Sequence, residues 1–457
     1  MRLPEPFAER MRRELGAEEA ERLFVALNDE PSVAVRLNPR KAMAEKWGGR
    51  GVPWSRDGYS LAERPSFTLD PDFHAGAYYV QEAASQFAGY ILAEAAGGAE
   101  ACRGMRVLDM CAAPGGKSTH YASLVGREGL VVANEINRGR AAVLADNARK
   151  WGAGNMVVTC NDSARVAEFE EWFDAVAVDA PCSGEGMFRK SEEACSQWSE
   201  AGVAMCAERQ WEILRNAFRA LRAGGILIYS TCTFNRTEDE EVLRRACAEF
   251  GDDLCAAPSV AVDPSWGVAT GEEGVFRTFR FFPHRVSGEG MFLAVARKSG
   301  EPSRRREPKA RRQAMTPVAK ADARELGRWV RDGERMRFYE AGENLYGCYA
   351  ERYDDVAALA GTLSVIYSGV AMGRVFKGLL KPDGALALFA DLDLSAAECR
   401  DADYPTALRF LRKQDIDASG LAEGVNIVTF GGRPLGFAKR IGGRVNNMYP
   451  NSLRILK

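Results

Sequence analysis

Apolar residues recur at helical spacing over the first thirty positions, where Ala20, Leu23, Phe24 and Leu27 mark one face, and Arg36-Leu37-Asn38-Pro39 closes that stretch. Thr68–Gly76 is rich in turn formers, and Tyr79-Val80-Gln81-Glu82 opens a helix expected to run to about Ala95. Short apolar runs then alternate with longer amphipathic ones. Arg106–Asp109 reads as a strand leading into a helix. Leu130–Asn134 is a strand followed by a helix over Arg138–Trp151, and Met156–Thr159 is a strand ending in a turn at Asn161-Asp162. Phe173–Asp179 is the next strand, followed by a long amphipathic helix over Gln197–Leu221, a strand over Gly225–Ser230 and a helix over Glu238–Phe250. Arg280–Phe282 and Met291–Ala296 close the set. Alternation of this kind predicts an α/β fold with a doubly wound parallel sheet and helices on both faces.

The pattern breaks at Ser303–Gln313, which carries six basic side chains between Arg304 and Arg312 and no core-forming residue. This stretch reads either as a solvated spacer or as a contact for RNA phosphates. Beyond it lies a second, mixed unit whose tail, Gly431–Lys457, has β-rich segments separated by Gly-Gly turns and carries Lys439, Arg440, Arg444, Arg454 and Lys457. The resulting division is an N-terminal region over 1–75, an α/β domain over 76–300, a basic linker over 301–317 and a C-terminal unit over 318–457. Val356–Gly373 is the one long uncharged run. Its repeated Gly, Ser and Thr predict strand and turn rather than a spanning helix.

Composition narrows the functional classes. At 457 residues, with 46% hydrophobic and 27% charged positions, the chain has the make-up of a soluble globular protein of several domains. A net charge of −2 confines any nucleic-acid surface to local patches. None of the eleven cysteines forms a CxxC pair and only three histidines are present, which argues against a zinc site and for reduced thiols in the cytoplasm. The charged N-terminus MRLPEPFAERMRREL lacks the apolar core of a secretory signal.

The candidate chemistry centres on Val107–His120. Val-Leu-Asp ends a buried strand, Cys111, Ala112, Ala113, Pro114, Gly115 and Gly116 make a tight turn, and Lys117 opens a helix. Strand, small-residue turn and helix N-terminus together form a ligand cradle of backbone N–H groups. A mere chain reversal competes with this reading. So does a P-loop, but its first Gly would fall where Cys111 stands, and GxGxxG is missing. A nucleoside cofactor with little phosphate character fits better. Glu135, just after the second strand, stands where an acidic residue accepts hydrogen bonds from a ribose diol. Asp162 follows the third strand and is a candidate partner for an adenine amino group, although Asn-Asp is also a common turn.

Two cysteines reach the same rim of the sheet: Cys182, in DAPCSGEG after the fourth strand from Asp179, and Cys232, in STCT after the fifth. A lone cysteine there is usually inert packing; two beside Asp179 and a cofactor loop suggest covalent chemistry. Carbon 5 of cytosine is too weak a nucleophile to take a methyl group directly. A thiolate adding to carbon 6 activates it, an acid at ring N3 stabilises the adduct, and a base removes the carbon 5 proton so that the enzyme is freed. Asp179 suits the acid and the second thiol could assist release. The attacking thiolate needs an electropositive setting. Spacing alone does not choose between the two cysteines.

These residues make the sequence familiar. It resembles the Nol/Nop/Sun family of RNA 5-methylcytosine methyltransferases, and most closely its bacterial ribosomal-RNA branch. The matching pieces are DMCAAPGGKS (109–118), ANE (133–135), ND (161–162), DAPCSGEGMFRK (179–190) and YSTCTFNRTEDE (229–240), with looser matches at RLNPRK (36–41), YYVQEAAS (78–85) and GEGMFLA (288–294). The tail GFAKRIGGRVNNMYPNSLRI (436–455) is similar to the PUA-like RNA-binding unit of that branch. The resemblance implies a Rossmann-like methyltransferase sheet between a helical N-terminal RNA-binding region and a C-terminal α+β unit ending in the PUA-like fold. It implies S-adenosylmethionine held by Cys111–Lys117, Glu135, Asp162 and Asp179. It also implies Cys232 as the nucleophile, with Cys182 assisting release of the product. Ribosomal RNA or the small ribosomal subunit is the implied partner, with no membrane or DNA partner and a monomeric protein. DNA cytosine methyltransferases use only the Pro-Cys cysteine, and their Glu-Asn-Val motif is absent here. Open alternatives are a tRNA cytosine-5 methyltransferase, a non-catalytic RNA-binding assembly factor and, less compatibly with Cys111, a P-loop-like NTPase.

Overall fold

The computed structural model describes residues 3–41, 50–302 and 308–456. Its centre is a sheet built from β1 (Arg106–Asp109), β2 (Leu130–Asn134), β3 (Met156–Thr159), β4 (Phe173–Asp179), β5 (Leu221–Thr231), β6 (Ala269–Glu273), β7 (Phe276–Phe281), β8 (Met291–Lys298) and β9 (Val365–Ser368), in the spatial order β6-β7-β8-β5-β4-β1-β2-β3-β9. The five strands β3-β2-β1-β4-β5 are parallel, as the alternating pattern predicts. The sheet departs from the purely parallel expectation at both margins, where β6, β7 and β8 on one side and β9 on the other run antiparallel. The parallel strands are buried runs such as LVVAN and FDAVAVD, the composition a sheet covered on both faces demands. On one face lie α1 (Ala83–Ala96), α2 (Gly116–Val125) and α3 (Arg138–Trp151); α4 (Glu200–Ala220) and α5 (Glu240–Phe250) cover the other.

Three local expectations change. The first thirty residues form two helices, Glu5–Leu15 and Ala17–Ala26, because Gly16 adopts φ +84° between them. Their apolar face, with Leu23 and Phe24, packs against Phe188, Phe234 and Phe282. Tyr78–Val80 is a strand rather than the start of a helix: its aromatic and β-branched side chains favour extended backbone. Helix α1 starts after Glu82, whose carboxylate caps it by accepting from the N–H groups of Ala84 and Ser85, both at 2.9 Å. Within Val356–Gly373, the run Val-Ala-Ala-Leu-Ala belongs to a helix, Tyr353–Thr362, before strands Val365–Ser368 and Val370–Phe376.

The first of those strands is β9, which pairs with β3. Residues of the C-terminal unit therefore complete the central sheet. Arg304–Arg306 lie outside the described residues. Further along the stretch two arginines are anchored: Arg311 pairs with Glu168 at 2.9 Å, and Arg312 donates to the carbonyls of Ala360 and Leu363 at 3.3 and 3.1 Å. The tail forms the expected strands parted by a Gly-Gly turn, Arg433–Ile441 and Arg444–Asn447, in a sheet with Gly424–Phe430 and Glu398–Asp401. Among the described residues no helix is long and apolar enough to cross a membrane, and no cluster of potential ligands could hold a metal ion.

Candidate active site

The carboxyl ends of β1 to β5 meet at one cavity of about 1350 Å3. Of the residues singled out above, Cys111, Lys117, Glu135, Asp162, Asp179, Cys182 and Cys232 line it. Ala112, Ala113, Pro114, Gly115 and Gly116 build the turn without lining the cavity. Gly115 sits at φ +114°, where any Cβ would also press on Leu144 at 3.0 Å. The turn is fastened from the N-terminal region. Arg36, 1% exposed, donates to the Gly116 carbonyl at 3.0 Å, the Thr119 hydroxyl at 2.7 Å and the Gln81 side chain at 2.7 Å, and stacks over Trp151. Burial without a carboxylate partner pulls the Arg36 guanidinium down to about 9.

Glu135 is buried. Its Oε1 accepts from the Asn137 N–H at 2.9 Å, and Arg140 stands 3.4 Å from its Oε2. Asp162 is exposed and caps a short helix through the Ala164 N–H at 2.8 Å. Asp109 lies beneath the turn. Burial raises its carboxyl to about 7, with repulsion from Asp179 and Glu135 adding to the effect and the Ser118 hydrogen bond and Lys117 opposing it. One Asp109 oxygen accepts from the Ser118 hydroxyl at 2.6 Å, while the other is buried with no hydrogen-bond partner. Burial, then Asp109, Asp179 and Glu135, push the Cys111 thiol far up, so it stays protonated.

On the opposite wall the two cysteine sulfurs lie 3.1 Å apart, and the Cys232 N–H points at the Cys182 sulfur at 3.3 Å. Lys117 forms a 2.8 Å ion pair with Asp179, whose other oxygen accepts from the Ser230 hydroxyl at 2.8 Å. Burial disfavours the Lys117 ammonium, but Asp179, Asp109 and the Cys232 sulfur outweigh that and raise it. The Cys182 thiol is held well above its ordinary value first by its hydrogen bond to Cys232, then by burial, by the charge on Cys232 and by Glu238.

Buried carboxylates fix these loops. Glu185 accepts from Trp198 at 3.0 Å, the Phe234 N–H at 3.0 Å and Asn235 at 3.1 Å, and pairs with Arg10 of the N-terminal helices. Glu238 accepts from the Ser183 N–H at 2.9 Å and from Asn235 and Gln210, both at 2.7 Å. Asp239 takes the Thr231 hydroxyl at 2.6 Å and Arg280 at 2.7 Å. Sequence reasoning did not single out these carboxylates, although Glu185 and Glu238 stand inside CSGEGMFRK and TEDE. Their signal was an acidic residue within six positions of each cysteine.

A Rossmann-like sheet with a glycine turn at its first strand end, and an antiparallel strand beside β5, defines a methyltransferase. Three family models agree: 16S rRNA methyltransferase RsmB/F over residues 100–297, the N-terminal domain of 16S rRNA methyltransferase RsmF over 3–83, and the methyltransferase RsmF PUA domain over 398–455. The chain is 32% identical over 483 residues to the ribosomal RNA small subunit methyltransferase F of Pectobacterium atrosepticum, covering 99% of this chain and 96% of that one. It is 31% identical over 478 residues to the protein of the same name from Enterobacter sp. (strain 638), covering 98% and 95%. Among solved structures, a methyltransferase homolog protein from Pyrococcus horikoshii is 27% identical with a TM-score of 0.54, over 65% of this chain and 95% of that one. NSun6 from the same organism shares the fold at 18% identity and a TM-score of 0.55, over 65% and 99%. The chain belongs to the RsmB/F family of 16S rRNA methyltransferases and carries its RsmF-type N-terminal and PUA domains.

Proposed function

We propose that the protein transfers a methyl group from S-adenosylmethionine to carbon 5 of a cytosine in small-subunit ribosomal RNA, through a covalent adduct with Cys232. The observation that carries this reading is the pair of thiols 3.1 Å apart on the cavity that also holds the Lys117–Asp179 ion pair and the glycine turn. The donor set suits the cofactor. Glu135 offers a carboxylate to a ribose diol, Asp162 one to an adenine amine, and the cationic methionine end would find Asp179. Bound there, S-adenosylmethionine supplies an electrophilic methyl group.

The cysteines divide the remaining work. The Cys232 thiolate adds to carbon 6, forming the S–C6 bond and moving the ring's electron pair toward carbon 5 and N3. The Lys117–Asp179 pair holds the proton that stabilises the ring at N3. Carbon 5 then takes the methyl group and still carries its hydrogen. Once Cys232 is a thioether its hydrogen bond with Cys182 is weakened, and with it the first of the causes that hold the Cys182 thiol up. Cys182 then gives its proton to solvent and, as the thiolate, takes the carbon 5 proton. Elimination breaks the S–C6 bond and returns Cys232 as a thiolate. The target base must leave its stack to be reached, which favours an unpaired cytosine.

The test is trapping. Cys232→Ala should abolish methylation and form no covalent species, whereas Cys182→Ala should methylate once and stall, giving a slowly migrating protein–RNA band on a denaturing gel. A trapped band from Cys232→Ala alone would exchange the two roles. Methylation by both variants without any band would end the covalent reading, and methylation of tRNA but not ribosomal RNA would change the substrate.

A further inference from the structure

The hairpin formed by Val370–Phe376 and Leu379–Pro382 lies between the stretches matched by the catalytic and PUA family models, 100–297 and 398–455. Its register sets Arg374 opposite Lys381 and Phe376 opposite Leu379. Because side chains alternate along a strand, these four share one face, while Val375 and Leu380 turn toward the neighbouring core. The outer face is open: Phe376 is 71% and Leu379 68% exposed. Lys377 and Gly378 form the two-residue loop, both with positive φ, and the Lys377 ammonium lies 5.4 Å from the Phe376 ring.

Three features here work against folding. Two cations face each other directly across the strands, where like charges destabilise. Two large apolar side chains meet water. A lysine holds a left-handed conformation that Asn or Gly would take at less cost in this type of turn. Nothing within the hairpin compensates. Arg374 has an exposed ion pair with Glu343 at 2.7 Å and a 3.2 Å bond to Asn344, both open to exchange with solvent. The segment 370–382 contains no acidic residue, so its charge matches a polyanion, and a flat aromatic ring between cations is what an unpaired base stacks upon.

We infer that this hairpin is an RNA-binding ribbon, with Phe376 stacking on an unpaired base and Lys377 and Lys381 holding the flanking phosphates. The inference rests on the reading that the substrate is RNA. Phe376→Ala and the double change Lys377→Gln with Lys381→Gln alter only exposed positions, so melting temperatures should match the parent protein. Binding to protein-free small-subunit ribosomal RNA is measured across a salt series, with methylation kinetics alongside. Phe376→Ala should weaken affinity roughly tenfold without changing the salt slope. The double variant should weaken it and make the slope shallower by about 1–2. Both should raise KM and leave kcat unchanged. Parent-like affinity in both variants, with the parent protein still methylating RNA, overturns the ribbon and spares the proposed function. Weakened binding to small ribosomal subunits but not to protein-free RNA makes the occupant a protein and also overturns it. A parent protein that neither binds nor methylates RNA removes the functional reading and this inference together.

Discussion

Along the glycine turn the fastening is cationic: Arg36 reaches in from the N-terminal region and satisfies Gly116, Thr119 and Gln81. Around Cys182 and Cys232 it is anionic, made by Glu185, Glu238 and Asp239 taking backbone and side-chain donors from both loops. The contrast follows the charge each wall must carry. The cofactor wall already gathers Asp109, Glu135 and Asp179, so its scaffold adds a cation. The cysteine wall needs one thiol to keep its proton at rest, and Glu238 contributes to that by raising Cys182. Scaffolding and chemistry are therefore not separable on either side.

The largest effect should come from Glu185→Ala, which leaves Arg10 charged and poorly solvated, strips Trp198 and the Phe234 N–H of their acceptor and removes one of those of Asn235. Breaking a buried pair in this way costs about 3–5 kcal/mol, so the melting temperature should fall clearly and methylation with it. Cofactor affinity of the protein that remains folded should hold. Loss of cofactor binding in that fraction would erase the distinction between the walls. Glu135→Ala probes the other wall. Loss of its hydrogen bonds should weaken S-adenosylmethionine binding about tenfold in calorimetry, near 1.4 kcal/mol. Alkylation of Cys232 should proceed at the parent rate, and altered thiol reactivity would show the walls to be coupled.

A pH profile sharpens the comparison beneath the turn. Asp109 is raised to about 7, chiefly by burial, so between about pH 4 and 7 the folded protein holds a proton that the unfolded chain has released. Its contribution therefore lowers stability as pH rises through that window, by on the order of 1 kcal/mol per pH unit, and changes little above it. Asp109→Asn keeps the shape and removes this slope, so the parent should lose melting temperature relative to the variant between pH 5 and pH 8. Parallel pH profiles for the two proteins would place the proton elsewhere.

How much of this could be read in advance depends on distance along the chain. The turn at Cys111–Gly116 is contiguous, and its strand, reversal and helix are coded within fourteen residues, Val107–His120. Cys182 and Cys232 could be set on one rim because each ends a strand of a parallel sheet. Their spacing could not be known, since it comes from Glu185 and Glu238 reaching across loops fifty residues apart. The helix Tyr353–Thr362 was masked by the Gly, Ser and Thr that follow its Ala-Leu-Ala core. Tyr79-Val80 reads as the start of the helix because Glu82, the true boundary, caps with an unusually long side chain. β9 falls within Val356–Gly373, the run expected as strand and turn, but no local signal names its partner β3, which lies far away in sequence.

That last pairing has a consequence during synthesis. As the polypeptide leaves the ribosome, β3 stands at the free margin of the parallel core that β4 and β5 go on to complete, presenting the unpaired backbone of Met156–Thr159. Its cover is encoded roughly 200 residues later, which at 5–20 residues per second means a wait on the order of 10–40 s. During that interval the nascent chain offers an adhesive border to any neighbour, including another copy emerging from the same messenger.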